Sequence, residues 1–399
     1  MRRVLCFFLL FNALYGPRLI YVDLMMATVF VLAAINIVSL LYFKRSIAFY
    51  KLLGALAVLL FLSVVHYLYT GFAEFTLLSL VGRLVVYLLA ADFLVFIYIF
   101  YVGGVWALLR DVIYATALNS VFVVAAFSFP AFQGFLRGVM DYGSQLNWIE
   151  TRHRIFDISL GGGATGSFTF ALVYLVGLSV PVIFRPKFYY VLMFLIAIAA
   201  GLMGRTGVYL IVLITFLAVL KGVFSFSLRN ASVFLCLVGT AFLAVYLYRD
   251  IIFDSAFFYW AAEGYAGNND TANALINMFF LPEHDLLLGD GHFGRVPPNI
   301  IYSDVGYVRA LHAIGIIGVF LLYGWLLYFV FIVRSSFKGL PFPSVDNLIV
   351  LMTFFIFIMN VKEFHIGSRG TSLLYFLVVL TLGGCFISSK PVGITREGQ

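Results

Sequence analysis

Charge is what this sequence has least of. Only 11% of its 399 residues are Asp, Glu, Lys or Arg, whereas a water-soluble domain uses about 25% to cover its surface. Cysteine is also scarce: Cys6, Cys236 and Cys385 each lie in or beside an apolar run. The long polar segments therefore have no disulfide framework and no cysteine-rich metal site. There is no Pro-rich linker, internal repeat or low-complexity tract, which argues for a single membrane domain over residues 1–399. A soluble enzyme and a small disulfide scaffold are excluded, and no nucleic-acid partner is expected.

Hydrocarbon dominates instead. The chain is 63% hydrophobic, with a mean hydropathy of +1.07. Its apolar runs repeatedly reach the ~20 residues that a helix needs to cross a bilayer. Both faces of these runs are apolar, so they read as spans and not as amphipathic core helices. Spans are expected near 4–16, 19–43, 51–70, 76–102, 106–132, 163–184, 188–203, 207–221, 230–248, 307–333, 346–361 and 370–388. The first is read as uncleaved, because no small-x-small pattern follows Arg2-Arg3 and its apolar run. The expected fold is an all-α polytopic membrane protein with about 12 transmembrane helices in the lipid bilayer.

Basic residues in short loops set the orientation. With an even number of spans, one side receives Arg2, Arg3, Lys44, Arg45, Lys51, Arg110, Arg185, Lys187, Lys221, Arg229, Arg334, Lys338, Lys390 and Arg396. That side, with both termini, is expected to be cytoplasmic. The opposite face then carries two long loops, about 133–162 and 249–306, the second with a helix from Thr271 to Phe280 capped by Asp270 or Asn269.

Some arginines break the rule. Arg137, Arg152, Arg154, Arg205, Arg295, Arg309 and Arg369 fall on the outer side. Each alone is accounted for by snorkelling, or by pairing with Glu150, Asp157, Asp304 or Glu363. Several converging on one cavity would hold a pyrophosphate, because the planar guanidinium suits bidentate phosphate recognition. Arg205 sits in Gly204-Arg205-Thr206-Gly207, a polar break between two apolar runs. Such a break is tolerated where backbone lines an aqueous cavity, and helix-start amides near Thr206 favour an anion. The alternative is a tight turn whose arginine reaches headgroups.

Arg152 precedes Gly163 by ten intervening residues, and Arg295 precedes Gly306 likewise. Asp304, Val308 and His312 follow helical spacing, so a carboxylate and an imidazole share one face as general-base candidates. His312 reads equally well as a histidine satisfied by neighbouring backbone. His153, His284, His292 and His365 match no zinc spacing and read as loop histidines.

These features together resemble the O-antigen polymerase (Wzy-type) family of bacterial surface-polysaccharide assembly. The likeness rests on the many-span plan with two large outer loops and on the paired motifs Arg152…Gly163 and Arg295…Gly306. It also rests on the Gly204-Arg205-Thr206-Gly207 break, and on Leu288-Gly289-Asp290-Gly291 followed by Ser303-Asp304-Val305-Gly306-Tyr307 with Gly315 and Gly318 beyond. The resemblance implies a GT-C-like architecture in the bacterial inner membrane, with the active site facing the periplasm. The implied reaction moves a growing glycan from undecaprenyl pyrophosphate onto a sugar hydroxyl of a lipid-linked repeat unit, without metal or cofactor. Arg205 and Arg295 are then expected on the pyrophosphate, and Arg152, Arg154 and Arg309 on pyrophosphate or acidic sugars. Asp304, His312 or Glu363 would be the base. Whether a chain-length regulator binds is left open. The related O-antigen ligases typically open the span after the large loop with His-Asn, where this chain has Ser303-Asp304. A ligase, and from another class a flippase for lipid-linked sugars, are the competing readings.

Overall fold

The structure, a computed structural model, describes residues 2–71, 75–141, 157–159, 163–223, 277–282, 285–293, 303, 305–336 and 343–382. Among the described residues there are twelve α-helices. They are α1 (Arg2–Tyr15), α2 (Leu24–Tyr42), α3 (Ile47–Tyr69), α4 (Thr76–Ile97), α5 (Val105–Ser128) and α6 (Pro130–Val139), followed by α7 (Gly163–Ser179), α8 (Tyr189–Met203), α9 (Arg205–Val223), α10 (Gly306–Ser336), α11 (Pro343–Met359) and α12 (Arg369–Leu382). The expected span at 230–248 and residues 271–276 of the expected loop helix lie outside the described residues; of its last four residues only Asn277 is helical.

Among the described residues, five helices are long and apolar enough to cross a membrane: α2, α3, α4 with its π-helical extension to Val102, α5, and α10 as far as Val333. These argue for a multi-pass membrane protein. The expected count of twelve spans is not reproduced. At ~1.5 Å per residue the 15 residues of α8 reach only about 22 Å, short of a ~30 Å hydrocarbon core. Hydropathy counted apolar turn residues as helix; the run expected to continue to 184 stops being α-helical at Ser179.

Local chemistry sets the helix starts. Asp23 caps α2 by accepting from Met26 N at 3.0 Å, and Ser46 caps α3 by accepting from Phe49 N at 3.2 Å. Helix α12 is the hub, buried over every residue from Thr371 to Leu382 and packed against α1, α4, α5, α7 and α11. A helix apolar all round belongs in such a position. Threonine hydroxyls tie the bundle across its apolar interior: Thr169 to Thr371 at 2.9 Å, Thr353 to Tyr375 at 2.8 Å, and Thr116 to Tyr15 at 2.7 Å.

The helices run alternately up and down, so the connections collect at two ends. The basic end holds Arg3, which pairs with Asp111 at 2.9 Å, and Arg45, which pairs with Asp92 at 2.9 Å. Arg45 was expected among the surface charges of that side. Its side chain is only 1% exposed, enclosed by Asp92, Asn36 and Ser39 and lying over the Phe96 ring. The far end collects the α1–α2 turn, α6 and the starts of α7, α9, α10 and α12. There Arg18 pairs with Asp141 at 3.0 Å, and Arg369 pairs with Asp23.

Helix α10 is broken at Gly315, whose φ of 61° lies in the left-handed region. Residues 285–291 fill the break: Ile316 N donates to Leu286 O at 2.9 Å and Ile317 N to Leu287 O at 3.2 Å, while Asp290 N donates to His312 O at 2.9 Å. A Cβ on Gly315 would run into the Leu287 carbonyl. The Leu288-Gly289-Asp290-Gly291 run and Gly315, separated in sequence, are thus one packing unit.

Candidate functional site

The turn between α11 and α12 lies where three helix starts meet. Val361 N bonds Ile358 O at 3.0 Å, and both Lys362 N and Glu363 N bond Met359 O at 3.0 Å. This tight coil ends α11 and delivers two oppositely charged side chains in succession. Lys362 Nζ donates to Thr206 Oγ1 at 3.0 Å in the first turn of α9. Thr165 Oγ1, in the first turn of α7, donates to Glu363 Oε2 at 2.8 Å.

The starts of α7 and α9 can approach this closely because glycine stands at the crossing. A Cβ on Gly204 would lie 2.8 Å from Gly163 O, and one on Gly207 would lie 2.5 Å from Ala200 O and 2.9 Å from Ser167 Cβ. The start of α10 reaches the same turn from the other side. Tyr307 N donates to Asn360 O at 3.2 Å, and a Cβ on Gly306 would lie 2.8 Å from Phe364 Cα. Helix starts carry unpaired N–H groups and partial positive charge, so three of them beside a lysine favour an anion.

Behind the charged pair sits His365. It is completely buried, its ring 4.6 Å from that of Phe168 on α7, and its backbone N–H donates to Asn360 Oδ1 at 2.8 Å. Burial, with the nearby Lys362 charge adding to it, pushes its imidazole down to about 3, so it is neutral at physiological pH. Among the described residues, neither ring nitrogen has a hydrogen-bond partner, nor do Asn360 Nδ2 and Ser368 Oγ.

The structure therefore brings Glu363, Gly163, Gly306 and the backbone of Arg205 to one turn. The backbone of Arg205 opens α9 between Gly204 and Thr206. Arg309 is half-buried one turn into α10, where its Nε donates to Ser303 O, a carbonyl just ahead of the helix. His312 lies further along α10 and is 8% exposed, its ring edge-on to Phe280. Arg152, Arg154, Arg295 and Asp304 lie outside the described residues. Arg369, one of the rule-breaking arginines, is paired with Asp23, an acid that the sequence reading did not consider for it.

Lys362 and Thr165 were not expected at the site from the sequence. Lys362 carries the same signal as the rule-breaking arginines, a basic residue in a short turn at their end of the chain's expected spans. Nothing in the sequence marks Thr165 apart from the other threonines, whereas Thr206 stands in the polar break expected to favour an anion. No protein-family model and no curated protein matches the chain.

Proposed function

We propose that the protein is a surface-polysaccharide polymerase of the O-antigen type: a multi-pass glycosyltransferase of the bacterial inner membrane, with its basic end cytoplasmic. It moves a growing glycan from undecaprenyl pyrophosphate to the sugar hydroxyl of a lipid-linked repeat unit at the periplasmic face. The observation that carries this reading is the meeting of both motif glycines, Gly163 and Gly306, and the Gly204-Arg205-Thr206-Gly207 break at the one turn holding Lys362 and Glu363.

In the reaction the acceptor hydroxyl oxygen bonds to the anomeric carbon of the donor sugar, and the bond from that carbon to the pyrophosphate oxygen breaks. The leaving oxygen keeps the electron pair. Lys362, Arg205 and the helix-start amides meet that charge, supplying electrostatic stabilisation where it develops. Glu363 accepts the hydroxyl proton as general base, held in orientation by Thr165.

The test uses purified protein in detergent with undecaprenyl-pyrophosphate-linked repeat units. Wild type is expected to build longer lipid-linked glycans, with Glu363→Gln slower by about 10²-fold or more. Transport has no meaning in detergent, so elongation also separates a polymerase from a flippase. Folded wild-type protein that leaves single repeats unchanged would overturn the reading.

A further inference from the structure

We infer that α6 and the α1–α2 turn form a platform seated in the headgroup–acyl boundary of a lipid bilayer. This proposal does not depend on the reaction assigned above. Helix α6 starts with Pro130 at its first position and has an unusually one-sided face. Phe132, Phe135, Leu136 and Val139 recur at i, i+3, i+4 and i+7, an arc of about 100°, while Gln133 and Arg137 lie off it.

The arc has two edges with different fates. On the inner edge, Phe132 stacks on Phe122 of α5 at 6.3 Å and Leu136 is buried. On the outer edge, Phe135 is 62% exposed and Val139 is exposed beside it. The end of α6 is fastened to the α1–α2 turn: Ile20 N donates to Val139 O at 3.4 Å, Asp141 N donates to Arg18 O at 3.0 Å, and Arg18 pairs with Asp141. That turn holds out Ile20, Tyr21 and Val22, with Tyr21 95% exposed.

The occupant is set by what adjoins this patch. Helix α5 is a membrane span whose exposed Leu118, Val121 and Phe127 lead through Phe129 into α6. Exposed apolar residues of a candidate span thus lead along the chain directly into the platform. At its rim a cleft of about 240 Å³ is lined by Arg18, Asp23, Asp141 and Arg369. Apolar rings on one side and mixed charges on the other match the graded polarity of a membrane interface, where tyrosine and arginine are favoured and water-only or hydrocarbon-only surroundings are not.

The experiment places nitroxide labels at Phe135, Val139 and Arg137, one per variant, in a chain whose Cys6, Cys236 and Cys385 are serine. The protein is reconstituted in phosphatidylethanolamine–phosphatidylglycerol vesicles. Labels at Phe135 and Val139 are expected to collide more with oxygen than with a water-soluble nickel chelate, and the label at Arg137 the reverse. Equal nickel access at all three positions, or shielding of Phe135 from both reagents by protein, overturns the proposal. Phe135→Trp in the otherwise native chain keeps the test independent of cysteine removal. Its added fluorescence is expected to be quenched by brominated lipids, and an unquenched signal contradicts the platform.

Discussion

Lys362 and Glu363 are neighbours in the chain, yet each reaches a different helix, so one coil of backbone ties the starts of α7 and α9 together. Their loss should separate in kinetics. Glu363→Gln keeps the bond geometry and removes the base, so kcat falls while substrate binding holds. Lys362→Ala removes a charged donor worth ~1.5–3 kcal/mol, about a 10- to 150-fold weakening of diphosphate affinity. Titration with the lipid-linked donor separates the two effects. His365 makes a pH prediction. Its folded pKa of about 3 lies below the ordinary value of 6.5. The unfolded chain therefore binds a proton that the folded one does not between those values, and stability falls as pH drops through that window. The contribution is at most ~1.4 kcal/mol per pH unit. His365→Gln should flatten the acid side of a denaturation-versus-pH curve, and an unchanged slope would refute the assignment. From sequence, Glu363 was legible because a carboxylate in a short outer turn stands out, whereas His365 read as a loop histidine. Its burial comes from the Phe168 ring on α7, a contact nearly 200 residues away in the chain.

Two kinds of glycine position the elements around this turn. Gly204 and Gly207 permit a close crossing, so Gly204→Ala should push the starts of α7 and α9 apart. The expected cost is ~1–3 kcal/mol, with helical content unchanged by circular dichroism and turnover reduced. Gly315 permits a left-handed residue inside α10, and Gly315→Ala should expel residues 285–291 from the break. Protease cutting within 285–291 would report that expulsion. The polar break at Arg205 was legible because glycines and an arginine interrupt apolar sequence, and it became the start of α9. The span lengths were less legible. Hydropathy responds to every apolar residue, whether it lies in a helix or in the turn after it, so the run expected over 163–184 reads as longer than α7, which ends at Ser179.

Among the described residues the ion pairs lie at the two ends of the bundle, and α12 is buried from Thr371 to Leu382. The buried Arg45–Asp92 pair secures the basic end, with Asn36 sharing Asp92 at 2.9 Å. Asp92→Ala strips a desolvated arginine of its partner and is expected to cost ~3–5 kcal/mol in denaturation measurements. Removing both charges together, as Arg45→Met with Asp92→Leu, should cost less. The up-and-down alternation was legible from the apolar runs, and so was the gathering of basic loops. The pairing of Arg45 was not, because its acid lies 47 residues on, in the middle of an apolar helix. In the proposed reaction the turn at Lys362–Glu363 and the starts of α7, α9 and α10 act as one diphosphate site. Isothermal titration of the purified protein with inorganic pyrophosphate tests this most directly. Wild type should bind, and Lys362→Ala and Arg205→Ala should each weaken binding at least ~10-fold. Equal affinity in wild type and both variants would contradict it.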